Sequence, residues 1–133
     1  MVTELGLLEL IRLRTELNLL AASLPALHEL LDDIPTPEFY WDDTMTLENG
    51  ILGKFYPSNR IHLPMWLRDE SYKCLISTVA HELVHMGQYG RKGPLRWALA
   101  NNPLWRRWTI EPLALQMERA AEDALGQHYM EVN

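Results

Sequence analysis

The run His81-Glu82-Leu83-Val84-His85 is the part of this chain whose residue types and spacing could do chemistry. Helical residues four apart lie on one face, about a turn apart, so both imidazoles can reach a single ion. Glu82 directly follows the first histidine and is turned away from the pair. There it could take a proton from a metal-activated water without occupying a coordination position. Zinc suits such a pair, normally with a third protein ligand and one open position.

The elements needed to position these residues can be read around them. The flanks are apolar and helical in type, Cys74-Leu75-Ile76-Ser77-Thr78-Val79-Ala80 before and Met86 after. Asp69 is expected to cap this helix and Gly90 to stop it, after about twenty residues. At about 100° per residue, Tyr72, Leu75, Ile76, Val79, Leu83 and Met86 form an apolar stripe, with His81 and His85 on the other side. Upstream, Leu10, Leu13, Leu17, Leu20, Leu24, Leu27 and Leu31 follow alternating steps of three and four. That predicts a long helix to about residue 22 and a shorter one restarting near Ser23-Leu24-Pro25, where proline fits a first turn. The leucine stripe is expected to be core rather than an oligomer seam.

Pro35-Thr36-Pro37 reads as a linker, and residues 38–47, with Phe39, Tyr40 and Trp41, as a first strand. A small antiparallel sheet is expected, with a hairpin from residues 51–56 and 61–63 that turns at Pro57-Ser58-Asn59-Arg60 and is ended by Pro64. Beyond the histidines, Gly90, Gly93 and Pro94 mark a break, and Asn102-Pro103 opens a short helix. Thr109 caps a last helix running to about 130, which carries Glu111, Glu118, Glu122 and Asp123.

The 133 residues suit one α+β domain, with a leucine-rich helical part over 1–34 and a core over 38–130. Hydrophobic residues at 47% and charged residues at 23% are ordinary for a soluble globular protein. No apolar run approaches the ~18 residues of a membrane span, and Glu4 and Glu9 among the first leucines do not fit a signal peptide. Cys74, the single cysteine, permits no internal disulfide and fits a reducing compartment, so a cytoplasmic location is expected. It lies about 10 Å along the helix from His81, too far to share a metal, and reads as buried and inert. A net charge of −6 argues against a general nucleic-acid binder. Yet no acid falls between Glu82 and Glu111, where Arg91, Lys92, Arg96, Arg106 and Arg107 interleave with Trp97, Trp105 and Trp108. Such interleaving can hold single-stranded nucleic acid, although a segment packed over the site is the preferred reading.

A third ligand must come from elsewhere in the chain. The metzincin pattern needs Gly at 88 and His at 91, and Gln88 and Arg91 exclude it. An all-histidine site would need His128. In its hairpin, its Thr78-Val79-Ala80-His81-Glu82-Leu83-Val84-His85-Met86 helix and its Glu118-Arg119-Ala120-Ala121-Glu122 segment, the chain resembles a minimal gluzincin. The likeness spans about 50–125, and the hairpin–helix order is more weakly similar to SprT-like zincins, whose later histidine ligand has no clear match here. The resemblance implies zinc held by His81, His85 and Glu118, with Glu122 as the alternative ligand or a partner for an imidazole. Glu111 opens its helix, where the dipole alone favours an acid, and Asp123 reads as solvated.

The implied activity is that of a zinc peptidase acting on a protein or peptide, with Glu82 as general base. Tyr89 is a possible oxyanion donor, as are Tyr129, His62 and Arg119, and one arm of the hairpin would pair with extended substrate. The alternative is a metal-stabilised module that binds protein or nucleic acid without cleaving it.

Overall fold

The computed structural model describes residues 2–45, 53–69 and 72–132. Strand β1 (Val2–Glu4) leads into helices α1 (Leu7–Ser23) and α2 (Pro25–Asp33). Strands β2 (Glu38–Asp42), β3 (Lys54–Tyr56) and β4 (Arg60–Pro64) follow, then a 3-10 turn over Met65–Asp69. Helices α3 (Tyr72–Ala100), α4 (Arg106–Thr109) and α5 (Glu111–Val132) complete the α+β fold.

The leucine periodicity becomes core. Leu13, Leu17 and Leu20 of α1 and Leu27 of α2 are buried, with Leu10, Leu24 and Leu31 packed at the margin. Each full burial contributes roughly 1.5–3 kcal/mol, more than helix propensity supplies. The break falls at Leu24, whose backbone is extended, and Pro25 opens α2.

The sheet corrects the expected all-antiparallel arrangement. Its order is β1-β2-β4-β3, and β2 pairs parallel with β4 in the register Phe39↔Ile61 and Trp41↔Leu63. This brings four buried side chains onto one face, all turned to the core. β3 contributes only Phe55 to that face, so the weaker arm of the antiparallel hairpin takes the edge. Residues 51–52 of the predicted first arm, and 46–47 of the predicted first strand, lie outside the described residues. β1 lay unseen inside a stretch read as helical; all three of its residues are exposed, so its stability comes from backbone pairing to β2.

Helix α3 is the centre of the molecule. Residues 75–80 and 82–88 are all buried, so it is enclosed rather than two-faced. It runs past Gly90 and breaks at Gly93, whose φ of 79° and ψ of 170° no helix accommodates, and Pro94 restarts it. The predicted cap Asp69 lies in the preceding 3-10 turn, and its side chain falls outside the described residues. Cys74 is half-buried at the core margin rather than fully buried. No described helix is long and apolar enough to cross a membrane.

Close approach of α2 to α3 gives a direct test. A Cβ on Gly87 would sit 2.6 Å from Leu30 Cδ1, whereas one on Gly90 would meet nothing within 4 Å. Gly87→Val should therefore lower stability by about 1–3 kcal/mol through overpacking. Gly90→Ala should hold or raise it by up to ~1 kcal/mol through helix propensity. Thermal denaturation of the two variants checks the contrast, and equal melting points would contradict this packing.

Candidate metal centre

Four elements converge on a cleft of about 530 Å³. Gly53, Lys54 and Phe55 form one wall at the edge strand, and Thr78, His81, Glu82 and His85 the floor on α3. Arg106 of α4 and Glu111, Leu115 and Glu118 of α5 close the far side. The floor exists because α5 packs along α3 and presents acids two turns apart to the histidine face.

The imidazoles meet at their Nε2 atoms, 3.2 Å apart. Glu111 Oε1 is 2.8 Å from His85 Nε2, and Glu111 Oε2 is 3.5 Å from His81 Nε2. The other nitrogen of each ring has its own neighbour. His85 Nδ1 is 3.0 Å from Gln88 Oε1, and Gln88 Nε2 donates to the Ile110 carbonyl at 3.1 Å. A carbonyl can only accept, so the Gln88 amide must turn its oxygen to the ring. His85 Nδ1 is then the N–H donor, which leaves an electron pair on Nε2 in the neutral ring. Glu118 Oε1 lies 3.0 Å from His81 Nδ1, in ion contact although off the angle of a formed hydrogen bond. It biases that ring the same way.

Two imidazole electron pairs and a carboxylate therefore point at one place. Only a cation, whether a proton or a metal, relieves that convergence. Among the described residues, His81, His85 and Glu111 have donor atoms all within 4.8 Å of one another. Ligands about 2.0–2.1 Å from a tetrahedral zinc sit roughly 3.3 Å apart, and the observed spacings bracket that value. Two neutral nitrogens and one oxygen also suit zinc chemically, although the donor set alone does not name the metal.

The acid brought to this point is Glu111, not the Glu118 to which the resemblance points. Glu118 stands at the opposite nitrogen of His81, where it can orient the ring. Glu122, one turn further along α5, is not among the residues lining the cleft. Tyr89 is held in an aromatic cluster with Phe55 and Trp97, at centroid distances of 5.8 and 6.0 Å, rather than in the cleft lining. His62 lies on the outer sheet face, bonded to Asp42 at 2.8 Å and flanked by Tyr40 and Tyr56. Arg119 and Asp123 are exposed, and the side chains of His128 and Tyr129 lie outside the described residues.

The segment between Gly93 and Glu111, read from the sequence as packing over the site, supplies Trp97, Asn101 and Arg106 to the cleft. Trp97 packs its ring 5.8 Å from that of His85, and Asn101 and Arg106 line the cleft. Arg106 Nη2 donates to Glu111 Oε1 at 2.8 Å. Two members of the basic-aromatic run, Trp97 and Arg106, are thus built into the site, while Leu95, Leu99, Leu104, Trp105 and Trp108 are exposed.

Glu82 is buried beneath the cleft, and desolvation raises its pKa against the opposing pull of His85 and His81. A Cβ on Gly53 would come within 3.1 Å of Glu82 Cγ, so the strand backbone passes directly against this side chain. Hydrogen bonds from His81 and His85 hold Glu111 well below the usual carboxylate range, against burial. For His81, burial favours the neutral ring, but Glu111 and Glu118 outweigh it and push the pKa up to about 9.

No family model, curated protein or solved structure matches the chain.

The His81 value fixes two opposite pH dependences. A metal must displace the His81 proton below about pH 9, so zinc affinity should rise by about tenfold per pH unit between 6.5 and about 9. In metal-stripped protein the sign reverses. The folded pKa is raised, so the ion pair stabilises fully below 6.5, and that contribution fades as pH climbs through about 9. Chelator competition and thermal melts across this window test both trends; a flat zinc affinity would contradict the assignment.

Proposed function

We propose that this chain is a zinc-dependent peptidase of the gluzincin type, with His81, His85 and Glu111 as ligands and Glu82 as general base. The observation that carries the reading is the meeting of both Nε2 atoms with the Glu111 carboxylate in a cleft that also contains a buried Glu82. A purely structural metal site needs no such base.

When bound, zinc would supply Lewis acidity toward a water and toward the scissile carbonyl. Glu82, whose basicity burial raises, accepts the water proton and passes it to the leaving amine. Glu118 keeps the His81 ring turned with Nε2 toward the cleft. Arg106 and Asn101 bring donors into the same space and are candidates to meet the developing oxyanion. Among the described residues β3 pairs only with β4, and its other edge would pair with an extended peptide. A second reading, a metal-stabilised interaction module, draws support from exposed Leu95, Leu99 and Leu104 beside Arg96.

The ligand set is tested by elemental analysis. About one zinc per chain is expected, and His81→Ala should abolish it. Glu111→Ala should weaken binding far more than Glu118→Ala. The reverse order would make Glu118 the third ligand, and a parent that binds no zinc would sink the metal reading.

Catalysis is tested separately at Glu82. Glu82→Gln preserves size and loses the basic oxygen, so zinc content and melting temperature should stay near the parent's. Turnover of a cleaved peptide should fall by at least ~10²-fold. Undiminished turnover would falsify the hydrolytic mechanism, and lost zinc would favour the interaction module.

A further inference from the structure

We propose that Gln88 is a positioning residue that ties the His85 ring to the first turn of α5, so that the second imidazole and the Glu111 carboxylate are held as one unit. The consequence for metal binding rests on the ligand set proposed above; the tether itself does not.

Four links close a ring. His85 Nδ1 contacts Gln88 Oε1 at 3.0 Å, Gln88 Nε2 donates to the Ile110 carbonyl at 3.1 Å, the Ile110–Glu111 peptide bond follows, and Glu111 Oε1 returns to His85 Nε2 at 2.8 Å. One helix thereby sets the position of a carboxylate on another through a single amide. The Ile110 carbonyl belongs to the peptide plane that ends at the Glu111 Cα, so shifting that oxygen moves the root of the carboxylate side chain.

Gln88 is only 2% exposed, and Ile110 is fully buried. A buried amide is costly to place unless both of its ends are bonded, and here each end has one partner of the opposite type. Gln88 is one turn beyond His85, so a glutamine reaches both the ring and the facing helix; asparagine is shorter by a methylene. Methionine would fill similar volume but provide neither bond.

The test uses the full chain, with and without added zinc. In metal-stripped protein, Gln88→Met should speed amide hydrogen exchange over residues 115–118, the first amides bonded within α5, and leave α1 at the parent's rate. In zinc titrations the variant should bind 10–100-fold more weakly. The loss caused by Glu111→Ala should be smaller in the Gln88→Met background than in the parent, because the two side chains act together. The cobalt-substituted variant should also show an altered visible spectrum, which a merely destabilised fold would not produce. If Gln88→Met does not fold, Gln88→Glu serves instead, since it can still accept from His85 but cannot donate to Ile110. Unchanged exchange at 115–118, or affinity losses that simply multiply, would overturn the proposal. A parent that takes up no zinc overturns the metal reading instead, and the exchange measurement then decides the tether alone.

Discussion

A helix enclosed on all sides at the centre of a small domain must carry its polar residues in the interior, and most of this structure follows from how those residues are answered. Ser77, Thr78, Glu82, His85 and Gln88 are all buried on α3. Ser77 turns back to the Cys74 carbonyl within its own helix. The others look outward to the cleft or to α5, and an unsatisfied polar group there would cost about 1–3 kcal/mol. The apolar side of α3 packs against the leucines of α1 and α2 and the inner sheet face, which fixes the helix in place. The polar side then has one direction in which to find partners, and α5 supplies them.

The carboxylate that α5 brings suits a site that could hold a cation. Glu111 begins its helix, where the unpaired backbone N–H groups and the dipole favour a negative charge. Arg106, His81 and His85 add further positive or hydrogen-bonding neighbours, and Glu111 stays ionised to low pH. The helix-start location had argued for a bland capping role. Physically the two roles agree, since what stabilises a capping acid also holds a metal ligand deprotonated.

How much of this was legible differs from element to element. The leucine ladder and Pro25 marked α1, α2 and the gap between them because periodicity and proline chemistry are local. The histidine motif likewise marked the floor of the cleft. The parallel β2–β4 pairing was not legible, because it depends on which hairpin arm has more apolar side chains to bury beside β2. Glu111 against Glu118 is the clearest limit. Seven residues make almost two whole turns, so both acids face α3, and they reach opposite nitrogens of the same His81 ring. Which of them meets both imidazoles is set by how far α5 slides along α3, a quantity that no pattern within α5 encodes. The helix end shows the same limit: Gly90 and Gly93 both signal a stop, but only Gly93 takes the left-handed backbone that ends the first half of α3.

The segment from Gly93 to Glu111 joins these themes. Its inner side chains, Trp97 and Arg106, touch His85 and Glu111, so it supports both an imidazole and the carboxylate. Thr109 closes it back on the Ala100 carbonyl at 2.7 Å, which makes the segment a compact bridge rather than a loose loop. Opposite it, Gly53 lets the strand backbone lie against Glu82, where any larger residue would displace that side chain. The cleft is therefore bounded by one wall set by a missing side chain and another set by a buried tryptophan and a paired arginine. Such walls hold their shape through backbone and packing rather than through long exposed side chains. The general base and metal ligands proposed above would need that rigidity, because such chemistry tolerates little displacement.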